Sequence, residues 1–474
     1  MLTTKTILGA GWTVSSRLAG RAIDFVTVLV LARALTPADF GLTAIASSLV
    51  FIMDAVFEVP LILALTRLRS ITRSHLDTAF TLGVLRGLLL SSIVLAAAWP
   101  FAHIYHDDRL TGLIAALVVG PTARSLYSPG MVKYVRDMSF RQNFAAELLG
   151  RLISSVLAIS VAYGGGGYWA IAVGSLSSSV ATTLISYFLA PYRPRLSLSK
   201  FSDFSSFLGW FSTSQIFVAV SWQFDRILLG YFITKSDLGQ YAMASDLASL
   251  PTQSVIGPAM QPLMAAFSRI NDDLDRLRNA YLKASRFTMM LAAPTCIGMA
   301  LTSDLIVKVL LGAKWTEAGL YLQWLALSIV LNAFYQPLHS LAMAMDRTNL
   351  IFRLCFIEAC IRIVLVSVGL YCYSIMGVIV VRVAISVIMF IVSLVAAQYL
   401  IGARVLSELI GLWKVAAACA AMAALVLMMR HEFFGFNLDA VVELILTTAF
   451  GALFYVGTLF ALGVRFRSDL QAVG

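Results

Sequence analysis

Three observations on this 474-residue chain predict an all-α polytopic membrane protein of about fourteen spans. First, only 13% of its residues are charged and its mean hydropathy is +0.86, where a soluble domain carries roughly a quarter charged residues. Second, apolar stretches recur from end to end, each about twenty residues long and able to cross ~30 Å of hydrocarbon as a helix. Third, the basic residues fall in alternate connectors. Lipid offers the backbone no hydrogen bonds, so a span is a helix or part of a closed barrel. These runs are continuous rather than alternating, which selects helices.

Taken in order, the first-half spans are 7–32, 40–65, 77–101, 110–131, 142–163 and 167–190. The second half reads 204–232, 239–266, 284–311, 318–345, 350–372, 376–400, 409–429 and 440–464. One set of connectors and termini then holds 21 Lys and Arg, against 5 in the other set (Arg33, Arg109, Lys235, Lys314 and Arg430). The positive-inside rule therefore predicts both termini on the cytoplasmic side. The net charge of +10 is accounted for by these connectors, with no polar domain to meet nucleic acid. The longest connector, Ser268–Lys283, is charged and helix-forming and is expected on the cytoplasmic membrane surface. Five cysteines lie in or beside apolar runs without CxxC spacing and read as small hydrophobes, not metal ligands.

Two segments repeat at a spacing of 198: Leu35–Ser47 (LTPADFGLTAIAS) and Ile233–Ser245 (ITKSDLGQYAMAS). Thr36 with Asp39, and Thr234 with Asp237, have the spacing of a capping box at a helix start. A second repeat, at 211, relates Glu147-x-x-x-Arg151 to Glu358-x-x-x-Arg362. The reading is two parallel copies of a six-helix unit, residues 1–200 and 201–402, with spans 13 and 14 (403–474) as an appendage. Such transporters place the substrate between their lobes.

Nine basic residues fall within or at the ends of spans, and each exposed to lipid at the bilayer centre costs about 2.5–3.5 kcal/mol or more. Arg17, Arg21 and Asp24 share one face of span 1, a basic stripe suited to an anionic substrate unless acids from other spans neutralise it. Span 7 carries Gln215, Gln223, Asp225 and Arg226. Arg124 lies between Pro121 and Pro129, where a kink is expected. Asp54 and Glu58 are spaced as a titrating carboxylate couple able to serve proton coupling, or each pairs with a base. Glu147 with Arg151, and Glu358 with Arg362, are spaced for structural salt bridges.

The stretches Leu35–Leu42 (LTPADFGL), Asp225–Tyr241 (DRILLGYFITKSDLGQY) and Arg276–Arg286 (RLRNAYLKASR) resemble the polysaccharide transporters of the MOP exporter superfamily. The resemblance is strongest to the WzxC-like flippases of exopolysaccharide and lipopolysaccharide synthesis, and it runs span for span along the chain. It implies two lobes around a central cavity, plus two extra helices. It further implies flipping of undecaprenyl-pyrophosphate-linked oligosaccharide from the cytoplasmic to the periplasmic leaflet of the bacterial inner membrane. On this view Arg17, Arg21 and Arg226, with Arg124 and Arg362 behind them, hold the anionic head group, and arginine's planar fork of donors suits a diphosphate. Gln215, Gln223, Trp222 and Tyr241 then serve the sugars, and Asp24, Asp54, Glu58 and Asp225 serve coupling. No cofactor or metal is expected. The partners implied are the lipid-linked oligosaccharide, membrane lipid and the polymerase or export machinery, with the chain itself a monomer.

Two other readings stay open from the residues. A MATE-like cation-coupled multidrug exporter shares the topology, but its cavity would favour carboxylates over arginines. A membrane glycosyltransferase or polymerase would need a larger non-cytoplasmic loop than the ten or so residues found here.

Overall fold

The computed structural model describes residues 19–464 except 69, 138, 404, 437 and 438, with the side chains of 63, 67, 205–217, 255, 258, 259, 261, 405–407 and 432–436 also outside the description. Its described residues are helical, with no strand. Among them nine helices are long and apolar enough to cross a membrane, or ten if the bent pair Arg109–Ser125 and Pro129–Arg136 is one span. The chain is a multi-pass membrane protein. Contacts divide it into two compact units, Met1–Gly239 and Gln240–Gly474.

The first unit begins with α1 (19–34) and α2 (Pro37–Val56), then the short α3 (Leu61–Arg67) and the long α4 (Arg73–Ile104). Next come α5 (Arg109–Leu117), α6 (Val119–Ser125), α7 (Val132–Arg136), α8 (Arg141–Tyr163), α9 (Trp169–Leu189) and α10 (Ser202–Phe232). Thr36 caps α2 as its sequence predicts: Asp39 N donates to Thr36 Oγ1, and Thr36 N donates back to Asp39 Oδ2. The Pro121/Pro129 region bends by 50° between α6 and the turn that begins at Pro129, because proline there cannot continue the preceding helix.

Helices α8 and α9 pair along small residues. Ala146, Gly150, Ala158 and Ala162 are buried at four- and eight-residue intervals, and Ser154 Oγ donates to the Gly174 carbonyl at 2.6 Å. This is the close backbone packing that lipid-embedded helices use in place of a hydrophobic drive. The opposite face of α8 turns Leu152, Val156 and Tyr163 outward.

The two copies of the 198-residue repeat meet inside this unit. Helix α11 (Lys235–Pro251) starts where the unit ends. A Cβ at Gly41 would overlap the Lys235 carbonyl oxygen, and one at Gly239 would overlap that of Pro37. Pro37 corresponds to Lys235 and Gly41 to Gly239, so each copy touches the other with equivalent residues, as a two-fold contact requires. Beside the crossing, Asp107 accepts hydrogen bonds from Arg109 and Lys235. Those partners, Arg109 foremost, hold its carboxyl well below the usual carboxylate range. Tyr105 Oη donates to the Ile227 carbonyl at 2.7 Å. Helix α10, expected in the second copy, thus packs on α2 within the first unit.

The connector 190–201 is strapped to the first turns of α4. Tyr192 Oη donates to Asp77 Oδ1 at 2.5 Å, and Ser197 N donates to Thr81 Oγ1 at 2.8 Å. Burial, then the bond to Asp77, pushes the Tyr192 phenol above its ordinary value of 10.0. A raised pKa means this contribution is complete below pH 10 and is lost as pH rises through the folded value. Tyr192→Phe leaves the buried Asp77 carboxylate without this donor, at about 1–3 kcal/mol. We expect faster protease cleavage within 190–201, and an unchanged rate would show that the strap holds nothing.

The second unit continues with α12 (Gly257–Ser268), α13 (Leu274–Leu301), α14 (Ser303–Leu310), α15 (Thr316–Ala333) and α16 (Tyr335–Ala344). It ends with α17 (Thr348–Ile401), α18 (Val405–Phe436) and α19 (Ala440–Ala461). The repeat's second Thr–Asp pair is in contact at the start of α11: Asp237 N donates to Thr234 Oγ1 at 3.2 Å, and Thr234 Oγ1 donates to Asp237 Oδ2 at 2.8 Å. The charged segment 268–283 is not a separate surface helix. Asp273 caps α13 by accepting from Arg276 N, so most of the segment is that helix's opening turns. Helix α17 is broken at Tyr373 and Ser374, where φ is −140° and 52°, and the Gly369 and Gly377 backbones touch across the break as the chain doubles back. Within this unit α18 and α19 pack on α13 through Met290, Cys419, Met422 and Tyr455. Tyr455 Oη donates to the Met290 carbonyl at 2.9 Å.

Candidate functional site

The first unit encloses a cavity of about 800 Å³, inside the range of small-molecule sites. Besides the largely apolar stretch 59–66 and residues 127–135, the lining has one charged wall from the end of α2, α4 and α6 and another from α8 and α9.

The first wall is built around Arg86. Helix α2 stops at Val56, ahead of Pro60, and leaves its last carbonyls open. Arg86 closes that end: Nε donates to the Phe57 carbonyl at 2.7 Å, while Nη2 reaches Asp54 Oδ1 at 2.5 Å and Glu58 Oε2 at 3.2 Å. Nη1 donates to Ser125 Oγ at 2.8 Å. That bond needs α6 pressed against α4, and Gly83 allows it, since a Cβ there would overlap the Ser125 carbonyl oxygen. Arg124 then donates to the second oxygen of Asp54 at 2.8 Å. Two arginines and two carboxylates form one neutral network.

Of the two readings of Asp54 and Glu58, the structure shows the one in which each carboxylate is paired with a base. The spacing assumed one continuous helix, but Glu58 lies past the end of α2 and Arg86 sits between the two carboxylates. Arg124, expected to hold a head group, is tied to Asp54 with its side chain 56% exposed.

The second wall carries Asn143, Glu147 and Arg151 of α8, spaced four apart, and Ser178, Ser179 and Thr182 of α9. The expected Glu147–Arg151 bridge does not form: Arg151 Nη1 reaches Asp24 on α1 instead. Arg151 lies against Gly20, and that lack of a side chain lets it turn toward α1. Glu147 is left with no hydrogen-bond or ion partner among the described residues, and Asn143 Oδ1 is buried without one. The intended partner of Asp24 is corrected too, from the span-1 arginines to Arg151.

The remaining candidates lie elsewhere. Arg17 falls outside the described residues, as does the side chain of Gln215. Arg21 is exposed and Arg226 half-buried, and neither lines this cavity. Gln223 is buried and accepts from Ser48 Oγ at 2.9 Å, bracing α10 against α2. Asp225 is 2% exposed. In the second unit Arg362 is buried and donates to Glu358 Oε1 at 3.1 Å, so its Nη2 is committed to structure. Tyr241 is buried too and accepts from Arg382 at 3.0 Å, while Trp222 is exposed.

Sequence reasoning missed Asn143, Ser178, Ser179 and Thr182, and set Arg86 aside as one of nine basic residues in spans. The signal was there for some: 143, 147 and 151 share a helix face, as do 178 and 182.

Comparison with known proteins came to the same territory. A family model described as polysaccharide biosynthesis protein matches residues 30–320. The succinoglycan biosynthesis transport protein ExoT of Rhizobium meliloti (strain 1021) is 26% identical over 67% of this chain and 65% of its own length. The match therefore spans just under two thirds of that relative. The lipopolysaccharide biosynthesis protein WzxC of Escherichia coli (strain K12) is 23% identical over 74% of this chain and 72% of its own. Among solved structures, the lipid II flippase MurJ in an inward closed conformation shares the fold with a TM-score of 0.72 at 14% identity, covering 95% of this chain and 98% of that one.

Proposed function

Since the chain belongs to the polysaccharide biosynthesis protein family, we propose that it is a bacterial inner-membrane flippase for a lipid-linked oligosaccharide. It carries an undecaprenyl-pyrophosphate-linked repeat unit from the cytoplasmic to the periplasmic leaflet by alternating access, for exopolysaccharide or lipopolysaccharide synthesis. The observation that supports this most is a cavity of ligand size, lined by three arginines and three carboxylates, among helices long and apolar enough to cross a membrane. Ionisable groups within spans are costly and commonly mark a path for a polar cargo.

The finer topology belongs to the same proposal. Fourteen spans are counted when the two halves of α17 are separate and α1, α10 and α11–α12 each cross. Spans 1–6 and 7–12 are then parallel lobes with both termini cytoplasmic, and the protein works as a monomer beside the polymerase and export machinery. Arg17, Arg21 and Arg226 are assigned to the diphosphate, for which fork-shaped donors are suited.

Deleting the gene should abolish surface polysaccharide and accumulate lipid-linked repeat units in the inner membrane. The wild-type gene should restore export, whereas Arg17→Ala with Arg21→Ala should lower it about a hundredfold while the protein still inserts. Normal surface polysaccharide in the deletion strain would end the proposal.

A further inference from the structure

We infer that the α8–α9 wall of the first-unit cavity is a sugar-hydroxyl subsite, separate from wherever the diphosphate is held. The inference rests on the flippase reading and adds to it the part of the cargo that this cavity takes.

The argument starts from what the wall lacks. Among the described residues Asn143 Oδ1 is buried with no donor, and Glu147 has no hydrogen-bond or ion partner, although Arg151 lies one turn away and is spent on Asp24. Both unmet groups are acceptors. Serine and threonine hydroxyls, on Ser178, Ser179 and Thr182, line the same wall and can donate or accept. Elsewhere in the lining, Arg86 and Arg124 are already engaged by Asp54 and Glu58.

A diphosphate offers acceptors only. Brought to this wall it would face Glu147 and add negative charge to a space whose cations are already matched. A sugar is the opposite case, because every ring hydroxyl donates one hydrogen bond and accepts others. Donation to Asn143 Oδ1 and to the Glu147 carboxylate satisfies both orphans, and a bond to a charged acceptor is the stronger kind. Asn143 Oδ1, buried and unmatched, carries its full desolvation cost, which a donated hydroxyl recovers, while the exposed Glu147 adds a charged acceptor beside it. The volume of about 800 Å³ leaves room for more than one ring.

The test uses the purified full-length chain and two probes: undecaprenyl diphosphate, and the same carrier bearing one glucose. Tryptophan fluorescence should report tighter binding of the glucosylated carrier by about tenfold. Asn143→Ala with Glu147→Gln should bring that ratio to about one and leave the bare carrier's affinity unchanged. Because Glu147 is exposed and neither it nor Asn143 Oδ1 has a hydrogen-bond partner among the described residues, the variant should keep the wild-type melting temperature, which is measured in parallel. Equal affinity of the wild type for both probes overturns the subsite alone, as does a variant that weakens both probes together. Failure of the wild type to bind either probe instead sinks the flippase reading on which the subsite stands.

Discussion

Replacing Gly41 and Gly239 with alanine together should destabilise the protein by much less than the sum of the two single replacements. Each single change drives a Cβ into a carbonyl oxygen of the facing helix start, Lys235 for one and Pro37 for the other. Neither obstacle is a flexible side chain, so α2 and α11 must move apart. Overpacking of this kind costs about 3 kcal/mol. Glycine inside a helix forfeits about 0.5–1 kcal/mol relative to alanine, and that penalty buys the close crossing. The displacement that admits the first methyl also admits the second, because the contacts are reciprocal and share one gap. Coupling between touching sites is the ordinary reason for non-additivity. Thermal unfolding in detergent, followed by size-exclusion fluorescence, reads all four proteins of the cycle. Additive losses would show that the two glycines are packed independently and that the crossing is not a single contact. Leucine at either position should leave no folded protein, since its extra atoms have nowhere to turn.

That crossing also marks how far the sequence could be read. The two Thr–Asp helix starts were legible because they are local: threonine and aspartate three apart favour a helix start whatever surrounds them. The bend near Pro129 was legible for the same reason, since proline's missing N–H acts on its own helix. That Gly41 meets Lys235 was not, although both lay in the recognised repeat, because a repeat states equivalence and not proximity. The ion pairs failed in a consistent way. Spacing of four proposed Glu147 for Arg151, yet the arginine reaches across to Asp24 on another helix. An exposed pair within one helix gains only about 0.2–0.5 kcal/mol, so any better-placed partner from elsewhere displaces it. At Glu358 and Arg362 the local pair does form. Gln223 shows the same limit: its polarity was visible, but only the packing of α10 on α2 turns it toward Ser48. The candidate cavity was legible in its charged residues and not in its neutral ones, since serine, threonine and asparagine occur throughout membrane helices as packing residues.

Arg86→Ala should be among the most damaging single substitutions in the first unit. The side chain is 10% exposed and serves four groups at once: the Phe57 carbonyl, Ser125, Asp54 and Glu58. Its removal opens the end of α2 and takes one of the two arginines from the network, leaving Arg124 on Asp54. Breaking a buried ion pair from one side costs about 3–5 kcal/mol, because the abandoned charge keeps its desolvation cost. Arg86→Lys should recover only part of this. An ammonium supplies the charge for Asp54 or Glu58, but it has no planar fork to reach the carbonyl and both carboxylates together. The decisive comparison is the double variant Arg86→Met with Glu58→Gln, which removes one charge of each sign and leaves Asp54 to Arg124. If the network is held by charge balance, this double variant should melt at a higher temperature than Arg86→Ala, despite carrying two substitutions. Should it melt lower, the main work of Arg86 is capping α2 rather than neutralising the cavity wall. In that case Arg86→Lys should be as damaging as alanine, so the two variants together separate the electrostatic role from the geometric one.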